Sequence, residues 1–312
     1  MEFQDFQNKY QKVTPQEYPN SVKKNPVVSV CVQTYQHESY IKNCLDGILM
    51  QKINFPLEIL LGEDDSDDAT REICIDYAQK YPDRIRLFLH HRENNIKIGG
   101  RPTGRFNFLH NIYSAQGKYI ALCEGDDYWI DPYKLQKQVD FLEANPNYVL
   151  CFHKIKILTR GGKIVDDFIT NPPANSTDLK DFTEKGNYIH TPSGVFRNSI
   201  QKFPLEFTHV PFGDYFLYFL LGRYGKFYCL DEAMAIYRHG VGIISKMTPK
   251  QILLANMKLY TAMISCSPND NIKEVLFERK ERIFDFYFEK ACRIPPIKTQ
   301  ISIKLKNLLS NW

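Results

Sequence analysis

Apolar residues come in short blocks along this chain, and several blocks empty directly into acid. Val27-Val-Ser-Val-Cys-Val-Gln-Thr-Tyr35 is a β-branched run that turns polar at its end, which predicts a buried strand over 27–33 delivering Thr34 and Tyr35 to a loop. Leu57-Glu-Ile-Leu-Leu-Gly-Glu-Asp-Asp-Ser-Asp-Asp68 repeats the pattern over 57–62, and Gly117-Lys-Tyr-Ile-Ala-Leu-Cys-Glu-Gly-Asp-Asp-Tyr-Trp129 repeats it over 118–123. Helix-like stretches at 39–51, 68–81 and 106–115, with a further strand at 85–90, complete a β-α alternation. That alternation predicts an α/β fold with a mostly parallel sheet flanked by helices.

Past the acidic loop at 124–127, Pro132 sits in the first turn of a helix that runs to about Asn145. Segments 148–158 and 163–168, split by Arg160-Gly-Gly162, predict a hairpin, and 171–178 a loop long enough to be a lid or to face an acceptor. Strands follow at 188–197 and 226–236, then helix from 249 to 289. The expected organisation is a polar leader (1–25), a main domain (26–240) and a helical extension (241–312) ending in a basic amphipathic tail.

The chemistry is concentrated at the strand ends. Glu124, Asp126 and Asp127 crowd the end of a buried strand, where like charges repel and lose hydration, so a cation or basic ligand is expected to compensate them. A divalent metal is the obvious compensator. In an open α/β sheet, ligands bind at the carboxyl ends of the strands, so the three loops are expected to share one crevice. The run Asp64, Ser66, Asp68 has alternating calcium-ligand spacing, but Ala69 and Ile75 stand where an EF-hand needs Gly and Glu. Asp67 and Asp68 read as helix caps, and His90 and His91 as surface or strand-end residues.

Composition narrows the class. With 43% hydrophobic and 24% charged residues the chain is globular rather than disordered, and a net charge of +4 over 312 residues gives no case for nucleic acid as its partner. The eight cysteines are scattered without zinc-site spacing, which predicts a reducing, cytoplasmic setting, and the first residues read as no secretory signal. From Lys290 onward Arg293, Lys298, Lys304 and Lys306 interleave with apolar residues up to Trp312, a pattern that suits either an anionic membrane surface or a packing helix.

The ordered set Val28–Tyr35, Glu63–Ser66 and Gly117–Trp129, with Gly213-Asp-Tyr-Phe-Leu217 and Tyr237-Arg-His-Gly240 later, resembles the family-two glycosyltransferases with the GT-A fold, especially those of bacterial cell-surface polysaccharides. The resemblance spans roughly residues 26–240. It implies an inverting glycosyltransferase that moves a sugar from a nucleoside-diphosphate donor, UDP by family expectation, to a hydroxyl of a surface-glycan or lipid-linked acceptor. It also implies that Gln33, Thr34, Tyr35 and Asp64 line the nucleotide pocket and that Arg105 contacts the donor. Glu124 and Asp126 stand at the family's Asp-x-Asp position, with Mn2+ or Mg2+ on Asp126, Asp127 and His239, and Asp214 is the general base. The glycine-rich insertion before Arg105 departs from the family pattern, as does the close Arg238–His239 spacing. A nucleotidyltransferase and a non-catalytic nucleotide-sugar-binding module on the same fold are the alternatives. Oligomeric state stays open.

Overall fold

The computed structural model describes residues 1–173 and 175–292. Helix α1 (Phe3–Tyr10) and the short strand β1 (Gln16–Glu17) precede β2 (Val28–Thr34), α2 (Ile41–Leu49), β3 (Leu57–Glu63), α3 (Thr70–Lys80) and β4 (Ile85–Leu89). A small hairpin, β5 (Lys97–Ile98) and β6 (Arg101–Pro102), leads into α4 (Arg105–Ser114), β7 (Tyr119–Leu122), β8 (Tyr128–Trp129) and α5 (Lys134–Ala144). Then come β9 (Tyr148–Leu158), β10 (Ile164–Asp166), β11 (Asn175–Thr177), α6 (Leu179–Lys185) and β12 (Val195–Arg197). The described chain closes with α7 (Gly213–Leu221), β13 (Lys226–Arg238), α8 (Pro249–Ser265) and α9 (Asp270–Cys292).

The main sheet runs β1-β4-β3-β2-β7-β12-β9-β13-β11, with β10 on β9 and β8 on β13. Strands β4, β3, β2 and β7 are parallel, and β12 enters antiparallel between β7 and β9. Both faces are covered, so β2 and β3 are buried at every position, which is why their sequences are near-continuous apolar runs. Side chains alternate between two cores. Val28, Val30 and Val32 point into the core shared with α2, α3 and α5, while Cys31 and Leu60 join the core under α4, α7 and α8. The mixed, mostly parallel sheet with helices on both faces is the GT-A fold.

Several expectations need correction. The polar N-terminal stretch packs onto the sheet: α1 buries Phe6 fully against Phe106 at 5.0 Å, and β1 adds to the sheet edge on β4. Asn94 Oδ1 accepts from the backbone of Lys12 and Val13, fastening the segment between α1 and β1. Part of the expected 171–178 loop is strand β11, paired with β13. The expected strand 188–197 shrinks to β12, because Thr191-Pro-Ser193 forms a turn of 3-10 helix. Pro132 precedes α5 rather than opening it. His90 is buried against Phe106 and His110, and burial drives its pKa down, so it is a neutral core residue. No helix among the described residues is long and apolar enough to cross a membrane. The basic tail beyond Cys292 lies outside the described residues.

Candidate functional site

The parallel register places the ends of β2, β3 and β7 side by side, with Thr34 opposite Glu63 and Cys31 opposite Leu122. Beyond the formal strands the backbone stays knitted. Asp64 N–H donates to Thr34 O at 3.1 Å, and Gly125 N–H to Gln33 O at 2.9 Å. The three strand-end loops therefore do share one crevice. Gly125 has no alternative, since a Cβ there would lie 2.7 Å from Thr34 Oγ1 and 2.8 Å from His37 Nδ1. His37 is held by Thr34 Oγ1 at 3.2 Å, and burial lowers its pKa against the pull of Asp126 and Asp68.

On one flank, Asp64 is buried, and its Oδ2 accepts from Arg92 at 2.9 Å and Asn95 at 2.7 Å. Burial raises its carboxyl to about 6 despite both donors. The Arg92 guanidinium lies 4.0 Å over the Tyr35 ring, so Tyr35, Arg92 and Asp64 form one unit at the mouth of the crevice. Arg92 escaped the sequence reading, because only the β3–β4 pairing brings it beside Asp64. Gln33 is buried at the floor with neither end of its amide partnered, which suits a group that awaits a ligand.

In the centre, Glu124 and Asp126 are half-buried and Asp127 is buried. Burial, then the charges of Asp126 and Asp214, lifts the Glu124 carboxyl to about 8, with Arg105 opposing. Burial and Asp126 also raise Asp127, although its Oδ1 accepts the Arg238 N–H at 2.8 Å. Asp214 sits in the first turn of α7, and burial raises its carboxyl against the Tyr215 N–H and Arg105. The site thus brings Glu124, Asp126, Asp127 and Asp214 into mutual electrostatic range with too little positive charge to balance them.

Arg105 is seated differently from a donor contact in an open loop. It is buried at the start of α4, its guanidinium 4.8 Å from the Phe207 ring and donating to Val210 O at 3.0 Å. From there it supports the segment before Asp214, whose Gly213 leaves room for it. Burial lowers its pKa to about 10, against Asp214 and Glu124. The glycine-rich stretch before it is the β5–β6 hairpin, turned by Gly99 and Gly100 at φ +60° and +79°. His239 does not join Asp126 and Asp127: its ring meets the Phe168 ring edge-on at 5.3 Å, and among the described residues no three His, Cys, Asp or Glu side chains form a ready metal group. Arg238 is stacked between Tyr40 at 4.9 Å and Tyr128 at 5.1 Å.

Residues 29–203 match glycosyl transferase family 2. The chain belongs to glycosyl transferase family 2. An uncharacterized protein of Mycobacterium tuberculosis is 36% identical over 219 residues, a match covering 69% of this chain and 60% of the relative's length. An uncharacterized glycosyltransferase of Nostoc is 25% identical over 221 residues, covering 68% of this chain and 65% of its own. Among solved structures, TarS of S. aureus in complex with UDP superposes with a TM-score of 0.59 at 18% identity, covering 87% of this chain and 76% of that one. The mannosyltransferase PcManGT of Pyrobaculum calidifontis, in complex with GDP-Man and Mn2+, gives 0.57 at 15% identity, covering 97% and 86%. These two likenesses establish the shared fold.

Proposed function

We propose that this family 2 member is an inverting glycosyltransferase that transfers a sugar from a nucleoside-diphosphate donor to an acceptor hydroxyl, with Asp214 as general base. The observation that carries the reading is the position of Asp214, at the start of α7 and within the electrostatic reach of Glu124 across the crevice. The nucleotide would lie on the β2 and β3 ends, its base beside Tyr35 and Arg92 with Asp64 accepting an N–H from it and Gln33 and Thr34 beneath. UDP is the expected nucleotide, in keeping with the complex of TarS.

The residues fit a divalent cation. The donor set is oxygen-only, burial and neighbouring charge leave Glu124 and Asp127 poorly compensated, and magnesium-like ions need only one or two carboxylates plus substrate phosphates. Asp126 and Asp127 would hold it, with Glu124 behind them. Such an ion supplies neutralisation of the charge that builds on the diphosphate as it leaves.

The acceptor oxygen attacks the anomeric carbon from the face opposite the diphosphate, the sugar–phosphate oxygen bond breaks, and the hydroxyl proton passes to Asp214. A positioned base of this kind contributes on the order of 10²–10⁴-fold, and the raised carboxyl of Asp214 brings it nearer the working pH. The test is calorimetric titration of UDP and GDP with Mn2+, Mg2+ or chelator, followed by donor turnover in Asp214→Asn. One nucleotide binding only with metal, and turnover falling by about 10²-fold or more while its affinity holds, is the expected result. Nucleotide-independent behaviour, or an Asp214→Asn enzyme as active as the parent, would overturn it.

A further inference from the structure

On the side of Asp214 away from Tyr35 and Asp64, four side chains form a cluster that the donor reading does not use. Asp167, just past β10, binds His190 Nε2 at 3.1 Å and is itself held by the backbone N–H groups of Ile169 at 2.8 Å and Thr170 at 3.1 Å. Burial pushes the Asp167 carboxyl up, but His190 and Thr170 outweigh it and hold it far below the usual range, so it is a fixed anion. The His190 ring packs on Tyr237, centroids 4.8 Å apart. The N–H of the next residue, Arg238, donates to Asp127 Oδ1 at 2.8 Å, which puts Tyr237 at the border of the acidic crevice. Phe168 follows Asp167 with 59% of its surface exposed, braced edge-on by His239. The loop that carries His190 also reaches the base, through Asn187 Nδ2 at 3.4 Å from Asp214 Oδ2.

We infer that Phe168, Tyr237 and the His190–Asp167 dyad form the acceptor subsite and that its occupant is a pyranose ring. This rests on the glycosyltransferase reading and names the substrate class of its second site. A pyranose has a C–H face that lies on an aromatic ring and equatorial hydroxyls that need fixed polar partners. Phe168 offers the exposed face, while Tyr237 and His190 offer polar edges held rigid by their neighbours. With His190 Nε2 committed to Asp167, Nδ1 is the ring nitrogen left to bond a sugar hydroxyl. A neighbouring hydroxyl then lies toward Asp214, which takes its proton on transfer. His190 and Phe168 are binding and positioning residues here, not the base.

The test is saturation-transfer NMR with methyl α- and β-pyranosides of glucose, galactose, mannose and N-acetylglucosamine, in the presence of Mn2+ and the nucleotide that calorimetry selects. At least one glycoside should receive saturation from the parent protein. That signal should fall several-fold in Phe168→Ala and His190→Ala, return in Phe168→Tyr, and leave nucleotide affinity unchanged in all variants. No saturation of any pyranoside, or equal saturation in the alanine variants, overturns the subsite. Saturation of decanol or a Ser/Thr peptide in place of the sugars assigns the ledge to a lipid or protein acceptor and overturns the pyranose. If no nucleotide binds, the donor reading falls, and the pyranoside experiment without nucleotide still decides the subsite.

Discussion

Two buried ionisable side chains show how environment sets chemistry at the scale of single residues. Asp64 has its carboxyl raised to about 6, so it is ionised above that pH and protonated below it. The ionised form accepts an N–H from a base more strongly than the protonated one, so nucleotide affinity should be flat above about pH 7 and fall as pH drops through 6. The loss is at most about tenfold per unit, readable by calorimetry between pH 5 and 8. Asp64→Asn should remove that pH dependence along with part of the affinity. Lys134 is wholly buried over the Trp129 ring, its Nζ bonded to Gln138, and burial lowers its pKa to about 7. The unfolded chain keeps a proton on this lysine that the folded protein gives up, so its burial costs nothing above about pH 10.4, costs more as pH falls, and costs most below 7. Lys134→Met should therefore be more stable than the parent by about 1–4 kcal/mol near pH 6, with the gap closing toward pH 10 in denaturant titrations.

At the scale of elements, α9 reaches back to the site although it lies beyond the family-matched residues. Arg279 donates to the carbonyls of Glu184 and Lys185, the latter at 2.9 Å, and to Tyr260 Oη at 2.8 Å. Tyr260 in turn meets the hydroxyl of Tyr215, next to Asp214. Gly186 turns there at φ +87°, and a Cβ would fall 2.1 Å from the Arg279 guanidinium. Arg279 thus steadies both the loop bearing Asn187 and the helix bearing the base. Arg279→Ala should lower turnover about tenfold or more while nucleotide affinity holds, because a small displacement of a catalytic group costs rate rather than donor binding. Steady-state kinetics beside calorimetry would show the split.

Over the whole molecule, two cores on opposite faces of one sheet hold the crevice rigid, and the ends of the described chain take part in the larger of them. Phe6 from α1 and Leu276 from α9 belong to the same cluster as Phe106 and Phe216. Phe6→Ala should cost about 3–5 kcal/mol in chemical denaturation, the loss expected of a core aromatic rather than of a surface tail.

What the sequence determined by itself follows from short-range physics. Strands buried on both faces read as near-continuous apolar runs, so β2, β3 and β7 were legible, and acid at the end of such a strand stands out against its cost. That was enough to find Glu124, Asp126 and Asp127, and to bring the acidic loop after β3 beside them, while the choice of Asp64 within that loop came from family resemblance. Asp214 and Tyr35 came from family resemblance, since an acid at a helix start and a tyrosine after a strand are locally ordinary. Tertiary structure alone decided the rest, because its causes lie far apart in the chain. Arg92 meets Tyr35 only through the β2–β3–β4 pairing, and Arg105 turned inward only once the segment before α7 supplied the Val210 and Pro211 carbonyls for it. His239 turned to Phe168 rather than to the acids, and His190 found Asp167 across a strand and a helix. A run of residues records which groups want burial and which want charge, but long-range packing chooses their partners.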